Sequence, residues 1–147
     1  VLRELGQVEI ARVNMTPGGA QGYGVIGPDS IPIFVLPGNP SASLLSFDIF
    51  VRPLLRRLMG HSKIHHRIIE ARLENTVEGA GDDVRYVRAR SSRSGGVSTV
   101  RCVVNNAEHP LAGLGNADSL IIVPAKISRL NAGETVKVLQ LESLSDE

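Results

Sequence analysis

Apolar residues recur along this chain in two rhythms, and the change from one to the other divides it. Leu2 and Leu5 stand at helical spacing before Gly6, which reads as the last turn or two of a helix closed by a glycine cap. From Gln7 to Thr16, Val8 and Ile10, then after a shift Val13 and Met15, alternate as a strand does. Pro17 to Ser30 carries glycines at 18, 19, 22, 24 and 27 and reads as a long turn or loop. Ile31 to Leu36 is a continuous apolar run, the pattern of a strand buried on both faces. Pro37-Gly38-Asn39-Pro40 stops it at once. Leu44, Phe47, Val51, Leu54 and Leu58 then recur at three- and four-residue steps, predicting an amphipathic helix from about Pro40 to Met59, closed by Gly60. Asn39 suits its N-cap, Pro40 suits its first position, and Pro53 should kink or restart it.

Beyond a polar stretch at 61–66, which reads as a linker, the rhythm shortens. Ile68 to Val77, Val84 to Arg90, Val97 to Val104, Ser119 to Val123 and Glu134 to Leu141 read as strands, with a short apolar turn at Leu111 to Leu114. Short strands at this spacing suggest a small β-barrel or sandwich. The expected fold class is therefore α/β followed by all-β. Residues 1–60 are the end of an α/β domain, 61–66 a linker and 67–147 a small β domain. Two strands and a helix cannot cover both faces of a parallel sheet, so the chain is expected to be the C-terminal part of a longer protein.

Composition narrows this picture. Of 147 residues, 42% are hydrophobic but only 3% aromatic, with no Trp, so any core must be aliphatic. Sixteen Lys and Arg against fifteen Asp and Glu leave a net charge of +1, which gives no global reason to bind nucleic acid or a membrane surface. The single cysteine, Cys102, excludes an internal disulfide framework and a cysteine-built zinc site, and inside an apolar stretch it reads as a small core residue. The longest aliphatic run, Leu120 to Val123, falls far short of the roughly 20 residues that cross a bilayer. A soluble cytoplasmic protein is expected.

The strongest chemical signal is Leu36-Pro37-Gly38-Asn39-Pro40-Ser41. A turn between a strand and a helix N-terminus can offer N–H groups, here of Ser41, Ala42 and Ser43, to a phosphate or oxyanion. Gly38 lets a ligand approach the backbone, and the two prolines stiffen the loop. The same residues would also serve a rigid turn with a good cap. Arg85, Arg88, Arg90, Arg93 and Arg101 cluster in neighbouring strand segments, where they read either as anion contacts or as a solvated face. His61, His65 and His66 read as solvated linker residues rather than metal ligands.

The segments MTPG (15–18), GYG (22–24) and PIFVLPGNPSASLLSFDIFVRPLLRRLMG (32–60) resemble the C-terminal half of the molybdopterin molybdenumtransferase family, the MoeA and gephyrin E-domain type. GNADSLIIVPAKISRLNAGETVKVLQL (115–141) is similar to the end of that family's small C-terminal β domain. The resemblance implies an enzyme that inserts molybdenum from molybdate into adenylylated molybdopterin and releases AMP with the help of magnesium. It implies a homodimer, with a molybdopterin adenylyltransferase as possible pathway partner. Pro37 and Pro40 match the family's catalytic PGNP prolines; Gly38, Asn39 and Ser41 of the same loop, with Arg88, become substrate contacts. The family's Gly-Gly-x-Ser motif and acidic magnesium ligands are placed upstream of Val1. Three positions depart from the pattern: Gly19-Ala20-Gln21 where a Lys usually follows MTPG, Asp83 for an Arg, and Glu108-His109 where serines are frequent. An alternative within the resemblance is a gephyrin-like dimeric scaffold that binds peptides without transferase activity. A lone adenylyltransferase-like domain fits less well, since such a domain needs no trailing β segment.

Overall fold

The computed structural model describes residues 2–103 and 115–141, and its contacts separate two units, Val1–His65 and His66–Glu147. The expected linker at 61–66 is divided between them. Its first part is held to the first unit, where Arg56 Nε donates to Lys63 O at 2.8 Å and Arg52 Nη1 to Ile64 O at 3.3 Å. His61 is half-buried, His65 exposed and His66 buried, so the reading of three solvated histidines is corrected for His66.

In the first unit a one-turn helix α1 (Leu2–Leu5) leads into β1 (Gly6–Arg12), the two-residue β2 (Met15–Thr16), β3 (Ala20–Ile26) and β4 (Ile31–Val35). The sheet order is β1-β3-β4 and both pairings are antiparallel. Two expectations change here. The glycine-rich stretch expected to be a loop contains strand β3, and the glycines of that strand stand where the neighbouring strands leave little room for a side chain. A Cβ on Gly24 would overlap Gln7 O and stand 2.7 Å from Val8 Cα; one on Gly22 would stand 2.6 Å from Ile10 Cδ1 and 2.8 Å from Val35 Cβ. Ile31 to Leu36, expected to be buried on both faces, supplies an outer strand with Ile31 and Pro32 exposed and residues 33–35 half-buried. The unit is an antiparallel sheet with a helix, not a parallel α/β layer.

The helix spans Pro40 to Leu58 in three registers: α2 (Pro40–Ser46), a π-helical turn (Phe47–Val51) and α3 (Arg52–Leu58). Pro53 explains the middle one. It has no N–H to donate, and its ring would press on the carbonyl four residues back. The chain widens just ahead of it, with Arg52 N–H reaching Phe47 O, five residues back. Ala42, Leu45 and Ser46 form the buried face of α2. Leu58 and Met59 are 68% and 73% exposed, so the outer half of the apolar stripe is left uncovered.

The second unit contains β5 (Ile68–Leu73), β6 (Val77–Glu78), β7 (Val84–Ser94), β8 (Val97–Cys102), β9 (Ser119–Val123), β10 (Arg129–Leu130) and β11 (Thr135–Gln140). Five of these run in the order β7-β8-β5-β11-β9, and β9 pairs back onto β7, closing a small barrel. The long strand β7 makes closure possible by serving two partners. Arg85 to Ala89 pair with β9, while Ala89 to Ser94 pair with β8. Short β6 and β10 form a separate ladder. The interior is aliphatic, as the composition requires: Ala71, Leu73, Val77, Ala89, Val100, Ile121, Val123, Val136 and Val138. A polar seam marks the closure. Ser119, fully buried, accepts from Ser91 Oγ at 2.8 Å, and Asp118 Oδ1 accepts the Ser91 N–H at 2.8 Å. The expected turn at Leu111 to Leu114, the end of the third strand at Val104, and Glu108-His109 lie outside the described residues.

Candidate functional site

The PGNP turn joins β4 to α2, and its residues are held in detail. Asn39 has an extended backbone (φ −76°, ψ 127°), and its Oδ1 accepts the N–H groups of Ser41 at 3.0 Å and Ala42 at 3.3 Å. Asn39 O accepts the Ser43 N–H at 2.9 Å, and the Ser43 hydroxyl donates to Pro37 O. The N–H groups of Ser41, Ala42 and Ser43, expected to be available to an anion, are therefore all engaged by Asn39. That expectation is corrected: Asn39 caps the helix so that none of these three backbone N–H groups is left over for a ligand. Pro40 takes the first helical position, where a missing N–H costs nothing.

What the turn offers instead is an open surface. Gly38, Asn39 and Pro40 are exposed, while Pro37 and Ser41 are half-buried. A Cβ on Gly38 would meet no atom within 4 Å, and its backbone is not in the left-handed region. Nothing among the described residues requires glycine there.

Behind the turn the structure brings in a second motif that the sequence did not connect with it. Gly18, of MTPG, has φ +91°, and a Cβ there would stand 3.2 Å from Ala42 Cβ and 3.3 Å from Ser46 Oγ. Gln21 Nε2 donates to Gly18 O and to Ser46 Oγ, each at 2.6 Å. Two buried polar residues thus tie MTPG to α2. The only signal in the sequence was Ser46, a polar residue on the Ala42-Leu45-Ser46 face of an amphipathic helix.

The arginines belong to the second unit. Ala89 is wholly shielded, so strand alternation sets Arg88 and Arg90 together on the other face of β7, Arg88 half-buried and opposite Leu120. Arg85 Nη1 donates to Glu78 O at 2.8 Å. Arg90 stands opposite Arg101, which lies 3.7 Å from Glu74 with both side chains open to solvent; such a pair contributes little. Cys102 is half-buried against the barrel core, and burial pushes its thiol pKa up while Arg85 draws it down. Among the described residues, no three or more His, Cys, Asp or Glu come together to hold a metal ion. The magnesium that the resemblance implies thus finds no such cluster among the described residues. No described helix is long and apolar enough to cross a membrane.

Comparison with known proteins gives this geometry its family. Residues 70–141 match the family model of the MoeA C-terminal region (domain IV). The chain is 36% identical over 143 residues to molybdopterin molybdenumtransferase 1 of Mycobacterium tuberculosis, an overlap of 94% of this chain and 34% of that protein. It is 27% identical over 137 residues to the molybdopterin molybdenumtransferase of Staphylococcus aureus, covering 93% of this chain and 32% of that one. The structure of a molybdopterin biosynthesis MoeA protein from Pyrococcus horikoshii superposes with a TM-score of 0.77 at 25% identity, over 97% of this chain and 34% of that chain. The chain spans about a third of the length of the curated relatives it matches. It belongs to the MoeA-type molybdopterin molybdenumtransferase family, as the family's C-terminal portion.

Proposed function

We propose that the protein carrying this chain transfers molybdenum from molybdate into adenylylated molybdopterin and releases AMP. The observation that carries the reading is the 36% identity to a molybdopterin molybdenumtransferase, which runs through both the PGNP unit and the barrel. In this reading Pro37 and Pro40 hold the turn rigid, and exposed Gly38 lets the pterin phosphate or the incoming oxyanion approach the backbone. With the first-turn N–H groups engaged by Asn39, the Ser41 hydroxyl becomes the turn's polar contact, and Arg88 is proposed, on the second unit, as a separate substrate contact. Asn39 acts by shaping the turn. Magnesium, which would neutralise phosphate charge, would be held by residues outside this chain. A homodimer in the cytoplasm, supplied by a molybdopterin adenylyltransferase, belongs to the same proposal. The isolated chain is expected not to catalyse the reaction.

The test is molybdate-dependent AMP release by the full-length protein and its variants. Gly38→Ala and Pro40→Ala are expected to lower turnover at least tenfold, about 1.4 kcal/mol of transition-state stabilisation. The Gly38→Ala result is a clean one, because among the described residues the added methyl meets nothing within 4 Å. Its melting temperature should be unchanged, so lost activity would report a ligand. Full activity in both variants would return the turn to a purely structural role. Peptide binding by a wild-type protein that releases no AMP would favour the scaffold reading.

A further inference from the structure

We propose that Gln21 and Ser46 form a clamp that positions the PGNP turn from behind, making both of them positioning residues of the site. The proposal rests on the transferase reading for its effect on turnover. Its structural part stands alone.

Among the described residues, nothing packs on the exposed side of the turn. Gly38, Asn39 and Pro40 are exposed, and no described atom lies within 4 Å of a Cβ placed on Gly38. The turn's position must then come from its buried side, through the first turn of α2. The residue at that contact is Ala42, 3% exposed, whose N–H is held by Asn39 Oδ1. Against Ala42 lies Gly18, closely enough that a Cβ would stand 3.2 Å from the Ala42 methyl. What keeps Gly18 there is Gln21. Its amide lies within 2.6 Å of both Gly18 O and Ser46 Oγ. Gly18 O can only accept, so the NH2 end of the amide must face it, and the second hydrogen is then directed at Ser46. The route from clamp to turn is Ser46, Gln21, Gly18, Ala42, Asn39.

Burial makes this arrangement informative. Gln21 is 7% exposed and Ser46 is fully shielded, and among the described residues they are the buried polar side chains of the first unit. A buried amide and hydroxyl are unfavourable unless bonded, and an apolar pair would fill the same space without that requirement. Their mutual bond spans 25 positions of sequence and joins the two motifs that flank the turn. It fixes one orientation of MTPG against the helix, which apolar packing alone would specify less sharply.

The experiment uses the full-length protein and two readouts. Gln21→Met keeps the side-chain length and removes both hydrogen bonds; Ser46→Ala removes one; Ser46→Thr keeps the hydroxyl. In folded protein, amide exchange at Ser41 and Ala42 is expected to rise at least tenfold in Gln21→Met and Ser46→Ala. It should stay near wild type in Ser46→Thr. The double variant should be no faster than the faster single, because one link has been cut twice. The kcat per folded molecule should fall about tenfold in the same variants, an effect that a loss of stability alone would not produce. Unchanged exchange at Ser41 and Ala42 overturns the clamp, as does acceleration spread evenly over the whole first unit. A wild-type protein that releases no AMP overturns the transferase reading, and the exchange data then decide the clamp by themselves.

Discussion

Val100, Ile121 and Val138 are wholly shielded in the barrel, whereas Ile10 and Ile31, aliphatic residues in strands of similar length, are 57% and 56% exposed in the first unit. Side-chain chemistry does not separate the two regions; closure does. Pairing β9 back onto β7 leaves the barrel's five strands without a free edge, and their alternate residues meet in one interior. The β1-β3-β4 sheet has two outer strands within its unit, and its helix covers only part of the available apolar surface. One region is finished by its own hydrogen bonds. The other presents a turn and an apolar border, which suits a part that works against something else.

The comparison is broken most forcefully by truncation. Leu73→Ala, at a residue 1% exposed in the barrel core, should cost about 2–5 kcal/mol by urea unfolding, whereas Ile31→Ala in the isolated chain should stay within about 0.5 kcal/mol. Comparable losses at the two sites would mean that Ile31 is covered. Next in size is Gly24→Ala, whose Cβ would overlap Gln7 O. Forcing β1 and β3 apart should cost about 1–3 kcal/mol, with amide exchange rising in those strands and not in the barrel. Asn39→Ala removes the cap of α2 and should cost about 1 kcal/mol.

The smallest effect belongs to Cys102. Burial raises its pKa, so the fold favours the neutral thiol. The stability this contributes is present below the unfolded thiol's pKa and is lost as pH rises through the folded value. Alkylation at pH 8 should therefore be slower in folded than in urea-unfolded chain, with the gap narrowing as pH climbs. Equal rates at pH 8 would contradict the shift.

The sequence shows the barrel more faithfully than the sheet, for a physical reason. Barrel strands have one face inward, so Ala71 and Leu73, or Val136 and Val138, alternate visibly with polar neighbours. Strand β3 carries no such signature. Gly22 and Gly24 sit where the paired strands approach at contact distance, and glycine placed for closeness is indistinguishable in sequence from glycine placed for turning. The Ile31 to Leu36 run misleads because an apolar strand looks alike whether its own unit covers it or not. At the site, Asn39 and Pro40 were legible as cap and first helical residue, since those roles depend on immediate neighbours. That Asn39 consumes the donors an anion would need follows from side-chain direction, and the Gln21–Ser46 bond from tertiary contact. Neither is written in local spacing.

The way the barrel is tied off has a consequence for how it can be moved between proteins. Ile68 of β5 lies opposite Leu139 of β11, and Gln140 N–H donates to Arg67 O at 2.9 Å. The chain thus enters and leaves the ring side by side, about one strand spacing of 4.8 Å apart. A host loop could take up the unit between two adjacent residues with no change to the host's own path. A short bridge from Leu141 to Arg67, with new ends cut at the exposed Gly95-Gly96 tip, would keep every rung of the ring in a permuted gene.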